Sequence, residues 1–138
     1  RVKEFVFPCR VYWEDTDGGG VVYYANYLKF MERARTEWLR SLGFEQTILR
    51  EQYGVLLVVA RVEANFRRSA RLDDLLQVGC RVIECGKASV SFEQKIYRGE
   101  GDELLLDGVT RVGCIDAVTF KPEPLPGMIG QALERYGR

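Results

Sequence analysis

The sequence contains no histidine, and that absence removes more chemistry than any single residue present adds. A Ser-His-Asp triad and a Cys-His pair are both excluded. The usual catalytic zinc sites, which take at least one imidazole, go with them. Acid–base or nucleophilic work near neutral pH therefore falls to carboxylates, assisted by main-chain N–H groups, tyrosines and hydroxyls. Long apolar runs are also missing. No stretch approaches the roughly 18 residues of a membrane-spanning helix, and the opening RVKEFVFPCRVYWEDTD does not read as a secretory leader. There is no excess of either charge, with 20 Lys plus Arg against 20 Asp plus Glu, so no global field favours nucleic acid or an anionic membrane.

Four cysteines (Cys9, Cys80, Cys85, Cys114) lack CxxC spacing and read as reduced core thiols of a cytoplasmic protein. What the chain does have is ordinary: 138 residues, 46% hydrophobic and 29% charged, enough for one domain over residues 1–138 to bury its own core.

Residues 4–13, EFVFPCRVYW, are rich in β-formers, and Pro8 favours an edge or early position in a sheet. DTDGGG then interrupts regular structure. From Tyr24 to Leu42 the period becomes helical: Tyr27, Met31, Ala34, Trp38 and Leu42 recur at threes and fours as an apolar stripe. Lys29, Glu32, Arg33 and Arg40 take the other side, with Arg33 and Glu37 spaced for an i,i+4 pair. Asn26 is the expected cap and Gly43 the stop. A short helix is expected over residues 45–52.

Beyond Gly54 the pattern turns to strands. Ala60, Val62, Ala64 and Phe66 face one way, and Arg61, Glu63, Asn65 and Arg67 the other. RLDDLLQ turns into a strand near residues 75–84. ASVSFEQKIY alternates again with Val90, Phe92 and Ile96 inward, and ELLLDGVTRVGCIDA reads as a last long strand bent at Gly108. The tail is a proline-rich arm ending in a helical turn. The fold class is α+β: a long central helix wrapped by a curved antiparallel sheet of about five strands. Pairing of sheet edges between subunits is expected.

The chemistry gathers at EDTDGGGVVYYANYLKFMERART, residues 14–36. Aspartate suits turns and caps, and that reading fits Asp15. For Asp17 a turn role and a catalytic role stand side by side. A helix beginning near Tyr24 would offer unpaired N–H groups and a partial positive charge, and the glycines would let carboxylate and helix mouth converge. GKAS, residues 86–89, is not a phosphate-binding loop, because no glycine lies five residues before Gly86 and alanine follows Lys87. Arg67, Arg68 and Arg71 read as a solvated strand end.

The stretch YWEDTDGGGVVYYANYLKFMERARTEWL resembles the active-site segment of hot-dog-fold acyl-CoA thioesterases of the 4-hydroxybenzoyl-CoA thioesterase type. The likeness is strongest to the branch associated with the Tol–Pal envelope system, and ARLDDLL (70–76) and PLPGMI (124–129) extend it over most of the chain. The resemblance implies an acyl-CoA thioester hydrolase without metal or organic cofactor. Asp17 would be its nucleophile or general base, and helix N-terminal N–H groups its oxyanion donors. It also implies substrate contacts from Tyr24, Lys87 and Ser89, the last two near the CoA phosphates. A homodimer or homotetramer with the pocket between subunits follows as well, with acyl-carrier protein or Tol–Pal components as further partners. Tyr24 stands where the Tol–Pal branch commonly has histidine and the hydroxybenzoyl type has tyrosine. Gly18-Gly19-Gly20 stand where relatives tend to have one glycine. The alternative reading is a non-hydrolytic scaffold that binds acyl-CoA or acyl-carrier protein at the cell envelope.

Overall fold

An apolar helical stripe next to four alternating strands has a simple solution, which is to roll the sheet around the helix. The computed structural model, which describes residues 4–136, adopts it. In chain order the elements are β1 (Phe5–Arg10), α1 (Asn26–Ser41), α2 (Gln46–Tyr53), β2 (Val55–Phe66), β3 (Leu75–Cys85), β4 (Ser89–Arg98), β5 (Glu103–Asp116) and α3 (Gly127–Tyr136). One sheet of order β1-β3-β4-β5-β2 contains all five strands, and every pairing is antiparallel. The expected α+β architecture is therefore what forms. Pro8 lies on an edge strand, as its missing N–H demands.

The helix buries Tyr27, Phe30, Met31, Ala34, Arg35, Trp38 and Leu39. Its first half packs with Val11, Leu76, Val78, Ile96 and Leu106, and its second half with Leu49, Val82, Phe92, Ile129 and Leu133. A side chain as fully enclosed as Phe30 contributes about 2–3 kcal/mol by leaving water. Phe30 and Leu39 widen the stripe beyond the five residues expected, because a helix facing a curved sheet is covered on more than one flank. Glu37 pairs with Arg40 rather than with Arg33, whose guanidinium lies 5.9 Å from the centroid of the Phe30 ring.

Three local features differ from the sequence expectation. The helix opens at Asn26, two residues later than expected, and its N-cap is Ala25, with no side-chain cap. Asn26 is thus not the cap; its side chain reaches back instead to the carbonyl of Asp15. In β2 the register slips between Val59 and Arg61 against Val112 and Arg111, so Ala60 is an extra residue. The bulge leaves Ala60 exposed and puts Leu57 and Val59 on the cavity-facing side with Val62. The tail ends in a ten-residue helix rather than a single turn, because Ile129 and Leu133, four apart, both enter the core. All four cysteines are free thiols, and no described helix is long and apolar enough to cross a membrane.

Gly108 faces Ala64 across the β2–β5 pairing. A Cβ there would stand 2.5 Å from the Glu63 carbonyl oxygen and 3.3 Å from the Ala64 Cα, main-chain atoms that cannot swing aside. Gly108→Ala is expected to destabilise the fold by about 1–3 kcal/mol. Thermal unfolding would show this as a Tm lowered by several degrees; an unchanged Tm would mean that β2 shifts outward at no cost.

Candidate active site

Between β1 and α1 the chain makes a compact hook. A 3-10 turn at Trp13–Asp15 is closed by the Asp15 carboxylate, whose Oδ2 accepts the Tyr12 N–H at 2.8 Å. The Asp15 carbonyl accepts the Tyr23 N–H at 3.0 Å and the Asn26 side-chain amide at 2.9 Å. At 6% exposure Asp15 is a buried structural carboxylate, as its turn-and-cap chemistry implied. Two residues on, the Asp17 N–H donates to the Val21 carbonyl at 2.9 Å, and Thr16 bridges Val22. The two arms of the hook are thereby pinned side by side.

Gly18 to Gly20 form the tip. Gly20 takes φ +82°, a conformation that a side chain would strain. The Gly19 N–H donates to Asp17 Oδ1 at 2.7 Å, so the carboxylate is exposed but oriented. The Val22 N–H donates to the Ala70 carbonyl at 2.8 Å and Val21 bridges Arg71, tying the hook to the segment that precedes β3.

The first helical amides are already committed. The N–H groups of Asn26, Tyr27 and Leu28 donate to the carbonyls of Tyr23, Tyr24 and Ala25 in a tight opening turn. Among the described residues, this leaves the N–H groups of Tyr24 and Ala25 without a main-chain acceptor. The open donors thus sit just ahead of the helix rather than within it. The ring of Tyr24 is exposed and meets Phe66 edge-on, with centroids 6.0 Å apart.

Lys87 and Ser89 lie elsewhere. Lys87 lies in the β3–β4 turn and Ser89 opens β4; there the Gly86 N–H donates to the Ser89 carbonyl and the Leu125 N–H to the Lys87 carbonyl, both at 2.8 Å. Strand β3 begins beside Arg10, near the hook, and runs 11 residues away from it. That is a distance of about 35 Å, so a single chain does not bring Lys87 and Ser89 to Asp17. Of the basic cluster, Arg67 pairs with Asp107 at 2.7 Å, while Arg68 and Arg71 are exposed.

Two adjoining clefts run along the other flank of α1, of about 360 and 270 Å³. Arg35 lines both, and Asp17 lines neither. Behind them is a polar group that helical and strand patterning concealed: Arg35 Nη1 donates to Gln94 Oε1 at 2.9 Å, and Gln94 Nε2 to the Met31 carbonyl at 2.9 Å. The signals were present in the sequence. Arg35 is four residues from Met31 on the buried stripe, and Gln94 interrupts the inward series Val90, Phe92, Ile96.

Tyr27 links the helix entrance to the hook's anchor, its hydroxyl oxygen accepting the buried Ala70 N–H at 2.9 Å. Burial pushes the Tyr27 hydroxyl above its ordinary range, so its contribution is full below about pH 10 and lost as pH rises through the folded value. Tyr27→Phe is expected to cost about 1–3 kcal/mol at neutral pH by orphaning the Ala70 N–H. It should also shrink the alkaline loss of stability relative to wild type. Denaturant unfolding at neutral pH and above pH 10 reads both; equal stability and equal slopes would remove the bond from its role.

The sequence pattern of the thioesterase superfamily matches residues 19–105. The chain is 46% identical to the acyl-CoA thioesterase YbgC of Haemophilus influenzae, over 94% of this chain and 93% of that protein. Among solved structures, a probable thioesterase from Bartonella henselae aligns with TM-score 0.84 and 39% identity, over 89% of this chain and 99% of that one. A 1,4-dihydroxy-2-naphthoyl-CoA thioesterase from Synechocystis aligns with TM-score 0.87 and 26% identity, over 94% and 95%. The carboxylate hook, the helix that follows it and the sheet wrapped around that helix are thus the hot-dog arrangement of a known lineage, and the chain belongs to the thioesterase superfamily.

Proposed function

We propose that this chain is an acyl-CoA thioester hydrolase in which Asp17 is the reacting carboxylate. What carries the reading is the combination of an oriented, exposed Asp17 with open amides at Tyr24 and Ala25, in a chain 46% identical to a named acyl-CoA thioesterase. The hook registers Asp17 with Val21, so Tyr24 lies three residue steps along, on the order of 10 Å of main chain. A thioester carbonyl fits between the two, its carbon facing the carboxylate and its oxygen facing the amides. Charge developing on that oxygen would be met by fixed donors at a helix entrance, each worth roughly 10²–10³ in rate.

Two routes are open to Asp17. As nucleophile it attacks the acyl carbon, expels the CoA thiolate and leaves a mixed anhydride, which water then cleaves to the acid and free Asp17. As general base it takes a proton from water while the oxygen adds to the acyl carbon; the CoA thiolate is then expelled and receives that proton from Asp17. Neither requires an imidazole, which suits a chain without histidine.

The working unit is proposed to be at least a dimer. Strand β2 is a sheet edge 12 residues long and largely exposed, including Val58, Val59, Val62 and Phe66. An edge that long and apolar is an unpaired template, and a second copy would continue the sheet. Lys87 and Ser89, remote from Asp17 within one chain, would then serve CoA from another copy, with Tyr24 at the acyl entrance.

Asp17→Asn keeps the side-chain oxygen that accepts the Gly19 N–H and should fold normally. Thiol release from short, long and aromatic acyl-CoAs is expected to fall about 10²–10⁴-fold. Turnover that survives the substitution would remove Asp17 from the chemistry. Acyl-CoA binding without release by the wild type would favour the scaffold reading.

A further inference from the structure

The larger cleft beside α1 has apolar walls from Leu28, Met31, Val59 and Val62, with Arg35 and Thr110 also in its lining. We propose that Arg35 and Thr110 bind a carboxylate at the far end of the acyl group, making ω-carboxyacyl-CoA thioesters the preferred substrate class. This deepens the hydrolase reading and rests on it.

The argument starts from two unanswered donors. Arg35 is 9% exposed, yet among the described residues it has no carboxylate within ion-pair distance. Its Nη1 meets only the neutral Gln94 Oε1, and Gln94 commits its own amide to the Met31 carbonyl, so neither end of Gln94 turns elsewhere. A buried cation without a counter-ion is unfavourable unless something anionic joins it. The nearest acid on the helix, Glu32, accepts the Thr36 hydroxyl and is exposed. Burial lowers the pKa of Arg35, which Cys80 and then Glu32 only partly offset.

Thr110 is the second donor. It is 1% exposed and its Oγ1 has no partner, although it lines the cleft. Buried hydroxyls are almost always bonded; the Thr110 Oγ1 is enclosed without a partner, and a χ1 rotation that exchanges its hydroxyl and methyl would turn it to the cleft wall. Opposite Val62 in the register, Thr110 faces the cleft from the sheet while Arg35 faces it from the helix.

Charge and reach select the ligand. The cleft's ionisable side chains are Lys29, Glu32 and Arg35, which leaves one positive charge to be neutralised by one carboxylate. From Ala25, beside the open amides, to Arg35 is ten residues, about 15 Å of helix rise. The arginine side chain leans back toward the helix N-terminus and shortens that span. An acyl chain of medium length bridges it, whereas malonyl or succinyl would fall short.

The test compares adipyl-, suberyl- and sebacyl-CoA with hexanoyl-, octanoyl- and decanoyl-CoA by thiol release, and suberate with octanoate by calorimetric binding. Wild type is expected to favour the suberyl over the octanoyl thioester in kcat/KM by about tenfold or more, and Arg35→Met to abolish that ratio. Thr110→Val, which preserves shape, should lower the ratio about threefold and carries the test if Arg35→Met does not fold. Arg35→Met removes an uncompensated buried cation but also the donor to the buried Gln94 Oε1, so Tm is expected to change little. A lowered Tm with an unchanged ratio would make Arg35 structural and overturn the proposal. So would a lost dimer with an unchanged ratio, which assigns the cation to a subunit contact. Equal hydrolysis of both series overturns this inference and leaves the hydrolase intact. If neither series is hydrolysed the hydrolase reading falls, and tighter binding of suberate than octanoate then decides the proposal alone.

Discussion

The pinned hook between β1 and α1 is the constraint from which the site follows. Asp15 is consumed by it, its carboxylate closing the 3-10 turn and its carbonyl receiving both Tyr23 and Asn26. Because those bonds fix where residue 23 lies, they also fix where the helix starts. Because the helix starts at Asn26 with a tight turn, the free amides are pushed forward to Tyr24 and Ala25. Asp17, bonded through its main chain to the opposite arm, cannot drift from them without breaking the pairing. Two carboxylates two residues apart thus have unlike environments: one buried and spent on architecture, the other exposed and steadied by a single glycine N–H.

How much of this was legible in the sequence depended on whether the signal was periodic or geometric. The stripe through Tyr27, Met31, Ala34 and Trp38 was readable because helical spacing repeats, and the strands because alternation repeats. The glycine-rich tip was readable because only a turn tolerates it. The bulge at Ala60 was not, since one extra residue inverts a face without changing composition. Asn26 was misplaced for a related reason: cap chemistry is decided by which carbonyl lies within reach, and that carbonyl belongs to Asp15, eleven residues earlier. Arg35 and Gln94 were hidden by convention, because charge and amide are ordinarily assigned to the outside.

The sheet's two ends explain why one chain looks incomplete. Asp17 and the helix entrance share an end with Phe66 and Ala70, while Lys87 and Ser89 share the other with α3 and its preceding arm. Sheet geometry keeps these ends some 35 Å apart however the loops are arranged. On the proposed reading, positive or hydroxyl groups that hold a long anionic leaving group far from the scissile bond would come from another copy. The long, apolar, exposed edge of β2 is the feature that makes such a copy affordable, since pairing it satisfies main-chain groups and covers Val58, Val59 and Val62 together.

The missing histidine returns at this point as a physical consequence rather than a gap. No imidazole is present to change charge across neutral pH. Arg35 stays cationic even where burial opposes it, because guanidinium starts so far above neutrality. In the proposed dimer, a second chain covering β2 and an acyl group in the cleft would together exclude water. Such exclusion would strengthen every fixed dipole around a bound thioester at once, and on that reading the opening of α1 and the exposed edge of β2 would act together.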